Sequence, residues 1–121
     1  MVKQMSSRQE ILRFWVDAVR AMDPERALQV ATPDFLFLDG LLPEPVTRDG
    51  FADYLMGWES RMRKIGGTGL YEVTDEVIQD SNGLLLKWGW WQFTGTDVQG
   101  ASLVKVTDQG VSFEKIAYYK Q

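Results

Sequence analysis

The segment that most constrains the fold is the run 83–93, which reads GLLLKWGWWQF. Successive side chains of a β-strand point to opposite faces, so this run carries large apolar groups on both faces of one strand. One face carries Leu85, Gly89, Trp91 and Phe93, and the other carries Leu84, Leu86, Trp88 and Trp90. Such an antiparallel strand must be covered on both sides. Helices of the same chain can cover one face, and the other face predicts a second subunit.

Helices are predicted in the first half of the chain. Apolar residues at steps of three and four predict a first helix that begins after Ser6 or Ser7. Asp23 and Pro24 supply an N-cap and a proline at the first helical position, which predicts a short second helix ending near Ala31.

A short strand, a third helix and a strand meander complete the chain. The alternation in 34–39 predicts a strand buried on both faces. A third helix starts at Thr47 or Asp49 and stops at Gly66. Four further strands are predicted over about 69–79, 84–94, 99–107 and 111–120, joined by turns rich in Gly, Asn and Asp. This order predicts one α+β domain over 1–121.

Composition narrows the possible chemistry. The 121 residues include no histidine and no cysteine. Their absence excludes histidine triads, cysteine nucleophiles and the usual imidazole and thiolate metal ligands. Acid–base chemistry must therefore use Asp, Glu, Lys or Tyr, and we expect no metal and no cofactor.

Charge and hydropathy narrow the possible partners. The net charge of −4 argues against a nucleic-acid partner, because phosphate binding needs a basic surface. No apolar run approaches the roughly 20 residues that span a bilayer, and the start of the chain lacks the apolar core of a signal peptide. We therefore expect a cytoplasmic protein without a membrane partner.

Four segments together resemble one known family. They are RFWVDAVRAMDPERALQVATPDFLF, VTRDGFADYL, the strand ending in QFTGT, and DQGVSFEKIAYY. In this order they resemble the nuclear transport factor 2-like (NTF2-like) superfamily, which includes SnoaL-like polyketide cyclases, ketosteroid isomerases and limonene epoxide hydrolases. The resemblance covers nearly the whole chain. It implies a cone-shaped, cystatin-like roll in which three N-terminal helices pack on a strongly curved, mainly antiparallel sheet around an apolar pocket.

The resemblance to the isomerases implies roles for two residues. Trp15 matches a tyrosine that donates a hydrogen bond to the developing enolate, and Asp39 falls at or beside the general base. The second oxyanion donor of the isomerases falls near Ser102, so no carboxylic acid is present there.

Residue matching does not support the other two activities of the family, epoxide hydrolysis and polyketide cyclisation. The Asp-Arg-Asp machinery of the epoxide hydrolases falls on Leu85, Lys87 and Ala117. The polar pair of the polyketide cyclases includes a histidine, which this chain lacks.

The same matches imply a pocket lining. Its residues are Trp15, Phe37, Asp39, Trp58, Met62, Lys87, Gly89, Trp91, Lys115 and Tyr119. Considered alone, the aromatic members also fit an ordinary core. An inward Lys87 or Lys115 could neutralise a substrate carboxylate, or its long stem could reach solvent or form an ion pair. Four glutamates are interpreted as solvated: Glu59, Glu72, Glu76 and Glu114.

Asp39 is the sharpest candidate. It shares strand parity with Phe35 and Phe37 and should point inward, where burial raises the pKa of a carboxyl and makes it a base at neutral pH. The alternative is an aspartate whose side chain caps the turn at Gly40.

The sequence therefore supports three functions. The first is binding of a small apolar or cyclic organic molecule for isomerase-like or cyclase-like acid–base chemistry. Asp39 would be the base, and Trp15 with Lys87 or Lys115 would stabilise negative charge. The second is a ligand-binding module without turnover. The third is an interaction domain that associates through Trp88 and Trp90, the face on which we also expect a homodimer.

Overall fold

The structure is a computed structural model that describes residues 7–120. Its helices are α1 (Arg8–Arg20), α2 (Pro24–Leu28), α3 (Phe51–Met56) and α4 (Trp58–Lys64), with a 3₁₀ turn at Arg48–Gly50 before α3. Its strands are β1 (Ala31–Asp39), β2 (Val46–Thr47), β3 (Tyr71–Ser81), β4 (Leu84–Phe93), β5 (Val98–Thr107) and β6 (Gly110–Lys120).

The six strands form one sheet in the order β2-β1-β6-β5-β4-β3. Every neighbouring pair is antiparallel except β1 and β6, which run parallel. The register shifts at two places. One shift is in β3, between Val73 and Asp75, and the other is in β6, opposite Lys105 and Val106 of β5. Such bulges add local twist and bend the sheet. The predicted α+β arrangement of helices packed on a curved, mainly antiparallel sheet is confirmed.

Local signals account for both N-terminal helices. Ser7 is the N-cap of α1, where its hydroxyl accepts a hydrogen bond from the backbone N–H of Glu10, while the alternative cap, Ser6, lies outside the described residues. Asp23 caps α2 in the same way through the N–H of Arg26. The predicted starts of α1 and α2 are confirmed.

Three predicted boundaries differ from the structure. Helix α2 ends at Leu28, and β1 begins at Ala31 because the backbone N–H of Val111 bonds the Val30 carbonyl and starts the parallel ladder there. The predicted third helix is two helices with Gly57 between them. Glycine is a poor helix former, and a side chain at Gly57 would crowd the Arg61 guanidinium.

The helices pack on the concave face of the sheet, which we call the inner face. Trp15 of α1 packs against Phe35 and Phe51, with ring centroids 5.1 and 5.3 Å apart. At the other end Trp58 of α4 packs against Phe93 at 5.6 Å. These aromatic contacts hold the helices against the inner face and define the core.

The opposite, outer face of the sheet carries an apolar cluster that we call the outer patch. Its members are Val77, Leu86, Trp88, Trp90 and Leu103, which the strand register aligns on neighbouring strands. Trp88 is 42% exposed and Val77 is 54% exposed. Each helix within residues 7–120 is too short or too polar to span a bilayer.

Candidate functional site

A cavity lies between the inner face of the sheet and the helices. The space that the centre of a water molecule can occupy is about 110 Å³, whereas one buried water needs roughly 10–15 Å³, so the cavity can hold several waters or an organic molecule. All described helices and strands except α2, β2 and the 3₁₀ turn contribute to the wall or its rim. The lining includes aromatic and polar side chains together with one glycine and one valine: Trp15, Arg20, Phe37, Tyr54, Trp58, Tyr71, Lys87, Gly89, Trp91, Ser102, Val104 and Glu114.

Two glycines shape this space in opposite ways. A Cβ built on Gly89 would meet only the Lys87 side chain, at 3.8 Å, so the missing side chain leaves room in the cavity. A Cβ on Gly100 would overlap the ring of Trp91. Gly100 therefore lets the Trp91 ring lie flat on β5, where its indole N–H donates to the Ser102 hydroxyl at 3.0 Å.

Glu114 is the ionisable acid on the cavity wall. Its side chain is buried, with the residue 7% exposed, and its Oε1 accepts a hydrogen bond from the Trp15 indole N–H at 2.7 Å. Trp15 is its only hydrogen-bond donor among the described residues. Burial raises the pKa of Glu114 to about 7, while the Trp15 hydrogen bond and the charge of Lys87 act in the opposite direction. Such a carboxyl exchanges its proton near neutral pH.

The prediction that Glu114 is solvated is wrong, and a bulge is the reason. On β6, Val111 pairs with Val106 and Phe113 pairs with Lys105, which leaves Ser112 as an extra residue. The extra residue reverses the side-chain alternation after it. Glu114 therefore points inward, although strict alternation from Val111 would point it outward.

The same bulge displaces two other predicted pocket residues. Lys115 pairs with Leu103, and Tyr119 pairs with Gln99, on the outer face. Both side chains are exposed, and neither lines the cavity. The interpretation of Lys115 and Tyr119 as pocket residues therefore needs correction: the inward residues of β6 that replace them are Glu114 and Ile116.

Lys87 lies on the cavity wall in the same row of the sheet as Glu114. Val104 of β5 pairs with both residues, so their backbones are two strand spacings apart, about 10 Å. The Lys87 side chain is 14% exposed, and its Nζ lies 3.8 Å from Oε2 of Glu76. The row therefore holds a cation and an acid that face the same cavity without a direct ion pair.

Asp39 points inward, and its side chain also caps the turn. The carboxyl is buried: Oδ1 accepts from the Leu41 N–H at 2.9 Å, and Oδ2 accepts from the hydroxyls of Tyr54 at 2.6 Å and Tyr118 at 3.0 Å. Burial and the neighbouring acids raise the pKa values of Tyr54 and Tyr118. Tyr54 lines the cavity but Asp39 does not, so Asp39 fixes the tyrosines rather than facing a ligand.

The remaining predicted residues divide between wall and core. Trp15, Phe37, Trp58 and Trp91 line the cavity. Met62 is fully buried in the core and does not line the cavity.

Sequence reasoning did not find Tyr54 or Arg20. Tyr54 falls one residue before Leu55, and Leu55 belongs to the apolar stripe that predicts the third helix: Phe51, Leu55, Trp58 and Met62. Arg20 is at the end of α1, where its guanidinium lies 5.1 Å from the centre of the Tyr71 ring at the rim.

The described residues contain no group of three acidic side chains close enough to hold a metal ion. The prediction that the function needs no metal and no cofactor stays a prediction.

Comparison with known proteins places this fold among solved structures. No protein-family profile matches the sequence, and no curated protein matches it significantly. A candidate ketosteroid isomerase from Parabacteroides distasonis superposes with a TM-score of 0.67, at 11% identity over 99% of this chain and 94% of that one. A candidate SnoaL-like polyketide cyclase from Shewanella putrefaciens gives 0.63, at 16% identity over 95% and 81%.

A third structure, an NTF2-like protein from Cytophaga hutchinsonii, gives a TM-score of 0.61 at 9% identity, over 98% of this chain and 95% of that one. The chain therefore has the NTF2-like fold, as the sequence resemblance implies. At these identities the likeness concerns the fold alone, and function has to be argued from the site.

Proposed function

We propose that the protein binds a small, flat, largely apolar organic molecule in its cone cavity and moves a proton on it without a cofactor. Glu114 is the group that carries the proton. The observation that supports this most is the position of its carboxyl: buried on the cavity wall and held by Trp15 through one oxygen. Aromatic rings around the cavity suit a flat ligand.

The proton transfer follows from the chemistry of this carboxyl. In its ionised form Glu114 takes a proton from a carbon next to a carbonyl group, which leaves an enolate. The positive charge of Lys87 and the Ser102 hydroxyl, which has a hydrogen to donate, stabilise the enolate oxygen. Protonated Glu114 then returns the proton to the same carbon or to another one, and the second case is an isomerisation.

The proposed base is therefore Glu114 and not Asp39, the residue that the isomerase resemblance implies. Three donors already occupy the Asp39 carboxyl, and it does not open into the cavity. Asp39 is instead a positioning residue that orients the Tyr54 ring on the cavity wall.

Exchange of the α-hydrogens of 2-tetralone in D₂O, followed by NMR, tests the proposal with a flat neutral ketone. The wild-type chain should exchange deuterium into the ketone faster than Glu114→Gln by about 100-fold, since general bases contribute about that much or more. The rate should rise with pH through about 7, because only the ionised carboxylate is a base. Asp75→Asn, which removes an exposed carboxylate from the outer face, should leave the rate unchanged. Equal exchange by wild type and Glu114→Gln would contradict the proposal.

The alternative function is ligand binding without turnover. The hydrogen bonds of Asp39 favour this alternative. Asp39 is at the position of the isomerase base, and protein donors already bind both of its carboxyl oxygens. In that case 2-tetralone would bind in the cavity, but its exchange would not depend on Glu114.

We also propose that two copies of the chain associate through the outer patch. The exposed Trp88 and Val77 give the patch an apolar centre. Asp75 on β3 lies to one side of this centre, and Lys105 and Lys115 on β5 and β6 lie to the other. A two-fold axis parallel to the strands reverses the strand order of the second copy, so it brings the acid of each copy towards the lysines of the other. This self-complementary charge favours a homodimer.

A further inference from the structure

The cavity wall carries more positive than negative charge, although the chain as a whole has a net charge of −4. Among the described residues, the charged side chains on the wall are Lys87, Arg20 and Glu114. Lys87 is the inner of the two cations, and Arg20 stands exposed at the rim. A cationic rim and wall favour the entry of an anion.

Lys87 is available to an anionic ligand. Its contact with Glu76 is long, at 3.8 Å, and the Glu76 side chain is 49% exposed, so solvent screens this ion pair and it contributes little. A carboxylate inside the cavity would meet Lys87 in a less polar environment and at a shorter distance, where a charge-assisted hydrogen bond is stronger.

Beyond the proposed function, on which this inference rests, we propose that the ligand is a planar organic carboxylate whose anionic group pairs with Lys87. Its apolar body lies over Val104 and Gly89, between the Trp15 and Trp91 rings, and its far end reaches Glu114. The separation of the two residues, about 10 Å between backbones, leaves room for a ligand between the side chains.

This arrangement couples ligand charge to the proton on Glu114. Lys87 is the charge that lowers the pKa of Glu114, so an anion paired with Lys87 cancels that influence and the pKa rises further. The other titratable side chains on the wall near Glu114 are Arg20 on α1, Tyr54 on α3 and Tyr71 on β3. Asp39 and Tyr118 lie behind Tyr54. The β5 residues that face Glu114 are Ser102 and Val104, which do not titrate. Binding of the carboxylate at neutral pH should therefore take up a fraction of a proton at Glu114. In this complex Lys87 holds the ligand carboxylate, the ionised fraction of Glu114 is the base, and the Ser102 hydroxyl donates to the enolate oxygen.

Calorimetric titration with 2-naphthoate and its neutral counterpart 2-naphthamide tests the inference. At pH 7.4 the wild-type chain should bind 2-naphthoate at least about tenfold more tightly, the effect of one hydrogen bond to a charged group. Titrations in phosphate and Tris, which have different ionisation enthalpies, should reveal fractional proton uptake with 2-naphthoate. Glu114→Gln should abolish that uptake.

Lys87→Met should remove the preference for the acid and leave the affinity for the amide unchanged. Lys105→Met is the matched control, because it removes a lysine from the outer face of the same sheet and should keep the preference; thermal melts check that both variants fold. Equal affinity of wild type for acid and amide, or a preference that survives Lys87→Met, would overturn the inference. If the charge preference is absent but 2-tetralone exchange depends on Glu114, the inference is wrong and the proposed function stands. If the exchange does not depend on Glu114 but the charge preference is present, the proposed function is wrong and the preference stands. The two proposals can therefore fail separately.

Discussion

The two faces of one sheet differ in what their polar residues do. On the inner face, Glu114 is buried against a cavity and its pKa is raised to about 7, and Lys87 shares the cavity wall with it. On the outer face, Lys105 and Lys115 surround an apolar patch and lie near solvent. Lysine therefore lines a cavity on one face and belongs to a polar rim on the other. Burial, rather than residue type, makes the difference.

The largest expected effect comes from filling the cavity. Gly89→Leu adds a side chain where the structure leaves open space, so it should weaken 2-naphthamide binding by about 100-fold or more through steric exclusion. Ala101→Leu, on the outer face of the neighbouring strand, is the matched control and should bind normally. Calorimetry measures both affinities. Unchanged binding in Gly89→Leu would place the ligand outside this cavity.

The next largest effect is on the pH dependence of stability. Because the pKa of Glu114 rises from 4.5 to about 7 on folding, the folded chain holds this proton more tightly than the unfolded chain. That stabilisation is complete below about pH 4.5 and is lost as pH rises through about 7, a change of about 3 kcal/mol. Glu114→Gln has no such proton and should not lose this stabilisation. Between pH 4.5 and 9 the free energy of unfolding of wild type should therefore fall by about this amount relative to that of the variant. Urea unfolding at several pH values measures the difference, and parallel profiles would contradict it.

On the outer face, Trp88→Glu should separate the subunits. A central exposed tryptophan commonly contributes about 2 kcal/mol or more to an interface, and a buried glutamate would add a desolvation cost. Analytical ultracentrifugation at tens of micromolar should show a dimer for wild type and a monomer for the variant. A wild-type monomer with exposed tryptophans would refute the homodimer proposal, while the inner-face predictions would be unaffected.

The smallest effect separates the two inner-face glycines. Gly100→Ala must displace the Trp91 ring, which should cost about 1–3 kcal/mol of unfolding free energy. Gly89→Ala meets only the flexible end of Lys87 and should change stability by about 0.5 kcal/mol or less. Denaturant unfolding measures both variants. Equal losses of unfolding free energy would show that the Trp91 ring does not lie against Gly100.

The sequence predicts the fold well because its signals are local. The caps Ser7 and Asp23, the glycine and asparagine turns, and the alternation in β4 each depend on neighbours in the chain. The break at Gly57 was missed because the apolar stripe continues across it.

The site is less predictable because it depends on contacts distant in sequence. The bulge at Ser112 depends on the pairing of β6 with β5, and it decides whether Glu114 or Lys115 enters the cavity. Parity predicted the inward direction of Asp39, but its partners Tyr54 and Tyr118 lie 15 and 79 residues away. Only the folded chain shows that their hydroxyls occupy its carboxyl.

The most direct test of the central claim is a ¹³C NMR titration of the glutamate side-chain carboxyls, with Glu114→Gln used to assign the Glu114 signal. The structure predicts a Glu114 carboxyl that titrates near pH 7, well above its ordinary value, because it is buried on the cavity wall. Addition of 2-naphthoate should move that midpoint to higher pH, because the anion cancels the charge of Lys87. The neutral 2-naphthamide should not raise the midpoint through this charge effect. A Glu114 signal that titrates near its ordinary value of 4.5 would show that the carboxyl is solvated, and the proposed site would be wrong.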